Sequence, residues 1–199
     1  MTRRRLRDLG LSTGRLPPGP LNAITDVAGV RVGYKTVVRD TPHVVRTGVT
    51  AIWPRGPQEI WEDYVFAGVH SFNGNGEMTG LPWIAEQGYI GAPIGITNTY
   101  QVGLVRDAIC KLAVRDGASQ DFHLPVVAET YDGWLSDIQS FSLTLDDAFA
   151  AFDSAVEGQP IAEGNVGGGT GMITHEFKGG TGTSSRVVRI DAATYTVGA

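Results

Sequence analysis

Residues 164–186 constrain this chain more than any other stretch: Gly-Asn-Val-Gly-Gly-Gly-Thr-Gly-Met-Ile-Thr-His-Glu-Phe-Lys-Gly-Gly-Thr-Gly-Thr-Ser-Ser-Arg. Eight of the protein's 27 glycines fall here, in two clusters around the mostly apolar insert 172–177. Glycine loses more backbone entropy on folding than any other residue, so this density implies positive φ angles or close backbone approach. A flexible linker would be equally glycine-rich. Val166, Met172, Ile173 and Phe177 ask for burial, however, so the segment reads as an ordered loop region at the heart of the fold. Two phosphate-binding frames fail. No Gly-Lys-Ser/Thr follows a glycine at P-loop distance, and the dinucleotide frame opened by Gly169-Thr170-Gly171 meets Thr174 where it needs glycine or alanine. A backbone nest for an anion stays open beside a mainly structural role.

With 199 residues, 42% of them hydrophobic and 19% charged, the chain is expected to form one globular domain. Its net charge of -5 argues against nucleic-acid binding, which needs a basic surface. The one basic cluster, Arg3, Arg4, Arg5 and Arg7, reads as a solvated end. No apolar run approaches the ~18 residues of a membrane span, and no hydrophobic segment follows the arginines as in a secretory signal. The lone Cys110 allows no internal disulfide, agrees with a cytoplasmic address and is expected to pack inertly.

Period-two alternation of Val30, Val32 and Tyr34 with Arg31 and Gly33 predicts a half-buried strand, and residues 44–53 and 64–72 are further strand candidates. Asn73-Gly74-Asn75-Gly76-Glu77 is a tight-turn sequence. Residues 93–97 predict a short buried strand leading into a helix over 101–116, where Val105, Ala108, Ile109 and Leu112 recur at helical spacing before Gly117. The apolar run 124–128 predicts a central strand that delivers Glu129-Thr130-Tyr131-Asp132-Gly133 at its end. A second helix is expected over 145–157, capped by Thr144 with Asp147 at the capping-box position. Val188 and Ile190 alternate with Arg189 and Asp191, so 186–197 reads as a strand. Strands and two helices without regular βαβ alternation predict an α+β layered sandwich.

The four histidines, His43, His70, His123 and His175, are scattered, and His175-Glu176 lacks the second histidine of a zincin helix, so no metal or other cofactor is expected. No Gly-x-Ser-x-Gly elbow is present, and Ser184-Ser185 read as turn and strand-edge residues. Glu129 and Tyr131 are more promising, because loops after buried strands commonly hold functional groups. Continued strand periodicity would set both on one face. A carboxylate beside a phenol suits a site that grips a substrate ammonium and hydrogen-bonds a developing oxyanion. A tyrosine merely packed and capped at a sheet edge is the alternative.

Val-Ala-Glu-Thr-Tyr-Asp-Gly at 127–133, Asn-Gly-Asn-Gly-Glu-Met-Thr-Gly at 73–80, Gly-Ile-Thr-Asn-Thr at 95–99, the opening 22–33 and the glycine region 164–186 together resemble the self-processing aminopeptidases, the L-aminopeptidase/D-esterase and β-peptidyl aminopeptidase group. The resemblance runs from about residue 9 to the last. It implies a four-layer α-β-β-α sandwich of the self-processing aminopeptidase/ornithine acetyltransferase type, incomplete in this chain. It also implies a precursor that cuts itself before a serine, whose freed α-amine then serves as base. Glu129 matches the family carboxylate that holds the substrate's free amino group, and Tyr131 the tyrosine that stabilises the tetrahedral intermediate. No Gly-Ser or Asn-Ser dipeptide occurs in the chain. Residues 1–199 are therefore expected to be the amino-terminal α-segment of a longer α/β precursor, inactive alone and partnered by a downstream β-segment in an oligomer of α/β units. The substrate would be a peptide or amide with a free amino terminus. Two other readings stay open: a catalytically dead binding module of the same fold, and an acyltransferase of the ornithine acetyltransferase type cutting before Thr170, Thr181 or Thr183.

Overall fold

A computed structural model describes residues 4–199, so Arg3 of the basic cluster lies outside the described residues. The chain runs β1 (Arg31–Arg39), β2 (Val45–Trp53), β3 (Val65–Phe66), α1 (Leu81–Gln87), β4 (Tyr89–Ile90), β5 (Ile94–Asn98), α2 (Val102–Arg115), β6 (Val126–Thr130), α3 (Leu145–Asp153), β7 (Ile173–Thr174), β8 (Phe177–Lys178), β9 (Ser185–Ile190) and β10 (Ala193–Gly198). Four strands form a mixed sheet in the order β1-β2-β5-β6. β1 and β2 make an antiparallel hairpin, β2 pairs antiparallel with β5, and β5 pairs parallel with β6. The parallel step needs a crossover, and α2 supplies it.

Helices α2 and α3 cover one face of this sheet. Val49, Ala51 and Trp53 of β2 point at Val105, Ala108, Ile109 and Leu112 of α2 and at Ala148, Ala151 and Phe152 of α3, all buried. Trp53 meets Trp61 and Phe152 edge-on, and its indole N–H donates to Phe152 O at 3.2 Å. Thr144 caps α3, exchanging hydrogen bonds with Asp147 at 3.0 and 3.3 Å. The other face carries the glycine region. Its turn 167–169 presses so close that a Cβ on Gly48 of β2 would stand 2.6 Å from Gly167 O, and Gly167 itself has φ +53°.

Four expectations are corrected. Residues 186–197 form the hairpin β9–β10 rather than one strand, because Asp191 takes φ +53° and reverses the chain; aspartate tolerates that conformation better than most residues. Of 64–72 only Val65–Phe66 is strand, paired with β4, and beyond it each of residues 68–78 is exposed. The helix expected over 145–157 ends at Asp153, and Val156 pairs with Val32 instead. Finally, the insert 172–177 makes the small hairpin β7–β8 through His175 and Glu176, both at positive φ, and leaves Phe177 77% exposed rather than buried. Helix α1 is an addition: Gly80 and Gly88 bracket it in the left-handed region with Pro82 in its first turn, a start-and-stop signal present in the sequence. Among the described residues no helix is long and apolar enough to cross a membrane.

Candidate functional site

Glu129 is the penultimate residue of β6, level with Thr97 in the parallel register with β5. On the far edge of β6, residues 77–79 run alongside it: Thr79 N donates to Val127 O at 3.0 Å and Glu129 N donates to Glu77 O at 3.0 Å. The turn 73–77, braced by Asn75 N on Asn73 Oδ1 at 2.9 Å, thereby hangs beside the Glu129 side chain. From the β5 side the Thr99 hydroxyl donates to Glu129 Oε2. Three stretches far apart in the chain, 73–77, 95–99 and 127–133, thus converge on one carboxylate.

Tyr131 lies one residue past β6 and is 47% exposed. Its ring lies back over Gly133, whose Cβ, if it had one, would stand 2.7 Å from Tyr131 Oη. The residues between and after turn the other way. Thr130 Oγ1 donates toward Gly168 O at 2.8 Å and Thr97 O at 3.2 Å, tying the strand end to the glycine turn beneath it. Asp132 is only 1% exposed, and among the described residues no hydrogen bond of good geometry reaches either of its carboxylate oxygens. Burial pushes its carboxyl up to about 6, against which the Thr47 hydroxyl and its own amide act, while the negative charge of Glu129 pushes the same way as burial. Asp132 O accepts from Leu135 N and Ser136 N, both at 3.0 Å, a turn that carries Trp134 out to the surface.

Glu129 and Tyr131 were singled out from the sequence by their place after a buried run. Thr99, Gly76 and Asp132 were not, although all three sit in stretches quoted for the family resemblance. What links them is the pairing of β6 with β5 on one edge and with residues 77–79 on the other, which no local pattern contains.

Eight backbone amides of the glycine region are already engaged within the protein. The amides of Gly167 and Gly168 donate to the hydroxyls of Thr36 and Thr50 at 3.0 and 3.1 Å. Those of Gly164, Val166, Gly169, Thr170, Gly179 and Thr181 donate to backbone carbonyls. An anion would therefore find no convergent free donors among them. The Lys178 ammonium donates to the carbonyls of Gly169, Met172 and Gly179. The hydroxyls of Thr170, Thr181 and Thr183 each donate to a backbone carbonyl. Ser185 belongs to a structural lock: its hydroxyl donates to Asp26 Oδ2 at 2.5 Å and accepts from Gly19 N at 3.1 Å. Among the described residues no three His, Cys, Asp or Glu side chains gather as a metal would require, and His43 pairs with Asp137 at 2.8 Å. Cys110 is partly exposed on α2, with the Arg106 guanidinium 3.9 Å from its sulfur.

The profile of peptidase family S58 matches residues 22–199. The chain is 49% identical over 201 residues to the beta-peptidyl aminopeptidase BapA of Sphingosinicella microcystinivorans, covering 98% of this chain and 50% of that protein. The BapA of Sphingosinicella xenopeptidilytica is 48% identical over 203 residues, with the same coverage. Among solved structures, a beta-aminopeptidase of Burkholderia sp. superposes with TM-score 0.92 at 50% identity, covering 98% of this chain and 55% of that one. The L-aminopeptidase D-Ala-esterase/amidase of Ochrobactrum anthropi, described as a prototype serine aminopeptidase and a variant of the Ntn hydrolase fold, superposes with TM-score 0.90 at 46% identity, covering 98% and 56%. The chain spans about half the length of the curated relatives it matches.

Proposed function

Because the chain belongs to peptidase family S58, we propose that it supplies the substrate-facing half of a serine aminopeptidase that hydrolyses peptides or amides bearing a free amino terminus. Glu129 receives the substrate ammonium through a charge-assisted hydrogen bond. Tyr131 donates its phenolic proton toward the oxyanion. A downstream β-segment brings the serine, exposed by self-cleavage. That hydroxyl attacks the scissile carbonyl carbon while the serine's own α-amine takes its proton. The tetrahedral oxyanion forms against Tyr131, the C–N bond breaks as the leaving amine is protonated, and water then hydrolyses the acyl ester. In this reading the downstream segment also adds the second sheet of a four-layer sandwich, and the assembled α/β units associate further in the cytoplasm.

The observation that carries the reading is an anchored carboxylate at the end of β6 with an exposed phenol two residues on. Uncovered apolar residues support it: Phe66 is 100% exposed, Phe72 91% and Trp134 77%, surface that a covering segment would bury. The test is to express the chain with the sequence that follows it in its gene, weigh the product for a cut before a serine, and assay paired amides with free and acetylated amines. Tyr131→Phe should lower kcat by on the order of 10²-fold, as for loss of one oxyanion donor. Glu129→Gln should weaken the free-amine substrate and spare the acetylated one. An uncut, inactive product would mark a binding module of the same fold, and unchanged turnover in Tyr131→Phe would remove the phenol from the mechanism.

A further inference from the structure

Glu129 has two carboxylate oxygens, and the protein engages one. Oε2 takes the Thr99 hydroxyl, while among the described residues no donor stands on Oε1. A Cβ placed on Gly76 would lie 3.2 Å from that Oε1, and apart from Gly76 and its chain neighbours no other heavy atom comes within 4 Å of the point. Open space therefore adjoins the free oxygen, and the missing side chain keeps it open. Backbone conformation does not account for glycine here, since Gly76 is not among the residues at positive φ. Nor does packing, since the residue is exposed. A charge-assisted N–H···O bond sets its nitrogen about 2.7–2.9 Å from the oxygen. A carbon at 3.2 Å on that side would compete with an ammonium for the same volume.

We infer that Gly76 is a specificity-determining residue: the substrate's ammonium docks on Oε1 of Glu129, in the space that Gly76 leaves beside the 73–77 turn, while Thr99 holds the carboxylate in place from the opposite side. This rests on Glu129 being the amine acceptor. It adds which of its oxygens does the work and what keeps the approach clear. Glu77 contributes through its backbone, its carbonyl on the Glu129 amide fixing how close the turn stands. Thr99 is a positioning residue, acting on the substrate only through Glu129.

The experiment uses the full gene product and two amides of one acid, the first with a free amine and the second with hydrogen in its place. The readout is the ratio of their kcat/KM values. Gly76→Ala should lower this ratio by ~10-fold or more, through KM of the free-amine substrate, since a hydrogen bond to a charged group is what is lost. Thr99→Val should lower it as well, and Thr99→Ser should restore it. A ratio held within about twofold in Gly76→Ala, with the urea midpoint unchanged, overturns the inference, because a tenfold effect corresponds to losing one such contact. A Thr99→Val variant with an undiminished ratio overturns the role of Thr99. Glu129→Gln in the same series separates the levels. If it leaves the ratio intact, the amine-acceptor reading itself fails. If it collapses the ratio while Gly76→Ala does not, only the docking geometry fails.

Discussion

Asp132 follows the exposed Tyr131 in the chain, almost wholly buried and, among the described residues, without a well-formed hydrogen bond on either oxygen. Its carboxyl is raised from 3.8 to about 6, burial first and the Glu129 charge in addition. Because the native state holds this proton more tightly than the unfolded chain, native stability is fully present below the unfolded value and falls as the pH climbs through about 6. The shift is roughly two units, and at about 1.4 kcal/mol a unit the charged form costs up to about 3 kcal/mol at neutral pH. Asp132→Asn keeps the shape and removes the charge. Urea unfolding of the full gene product, wild type beside variant, should show the variant's advantage growing by about 2 kcal/mol between pH 4.5 and pH 8. Taking the difference at each pH cancels the titration of every other group. An advantage that does not change with pH, or an Asn variant less stable at pH 8, would refute the reasoning. Either result would mean that a donor compensates the carboxylate and that burial is not what governs it.

Two further perturbations probe the scaffold. Burial pushes the Asp26 carboxyl up, but the Ser185 hydroxyl and the amides of Leu21, Ala23 and Asn22 outweigh it and hold the group below its ordinary value. Its stabilisation is therefore present above the ordinary carboxylate range and lost as the pH falls through the folded value. Asp26→Ala should cost on the order of 1 kcal/mol at pH 7, with the loss shrinking in acid; a loss independent of pH would show that shape rather than charge matters. In Gly171→Ala the new Cβ would stand 2.1 Å from Arg46 O and 2.9 Å from Asp132 Cβ, a clash with backbone that cannot swing away. Urea midpoints should report a loss of about 2–3 kcal/mol. An unchanged midpoint would mean the glycine segment yields rather than packs.

Elements whose pattern lies within one short window were legible: β1, β2, β5, α2 and the capped start of α3 each begin within a residue of the stretch that announced them, and β6 begins two residues into the apolar run 124–128. Failures came where one backbone conformation decides the outcome. Asp191 turns an alternating run into a hairpin, and His175 with Glu176 turns an apolar insert outward. Phe177 and Phe72, hydrophobic enough to be assigned to the interior or a strand, are left bare on the described chain.

By itself the amino-acid order determined which segments could be strand or helix, that the glycine region had to be ordered backbone in close approach, and which family the chain resembles. Spacing and conformational entropy act locally, so they can be read locally. Tertiary structure decided what meets at the end of β6. Parallel pairing with β5 draws Thr99 onto one side of Glu129, and the 77–79 segment brings Gly76 to the other. It also buried Asp132 one residue from an exposed tyrosine. Those contacts depend on which strands share hydrogen bonds and on the burial of both sheet faces, a free-energy balance over the whole chain that no single stretch encodes.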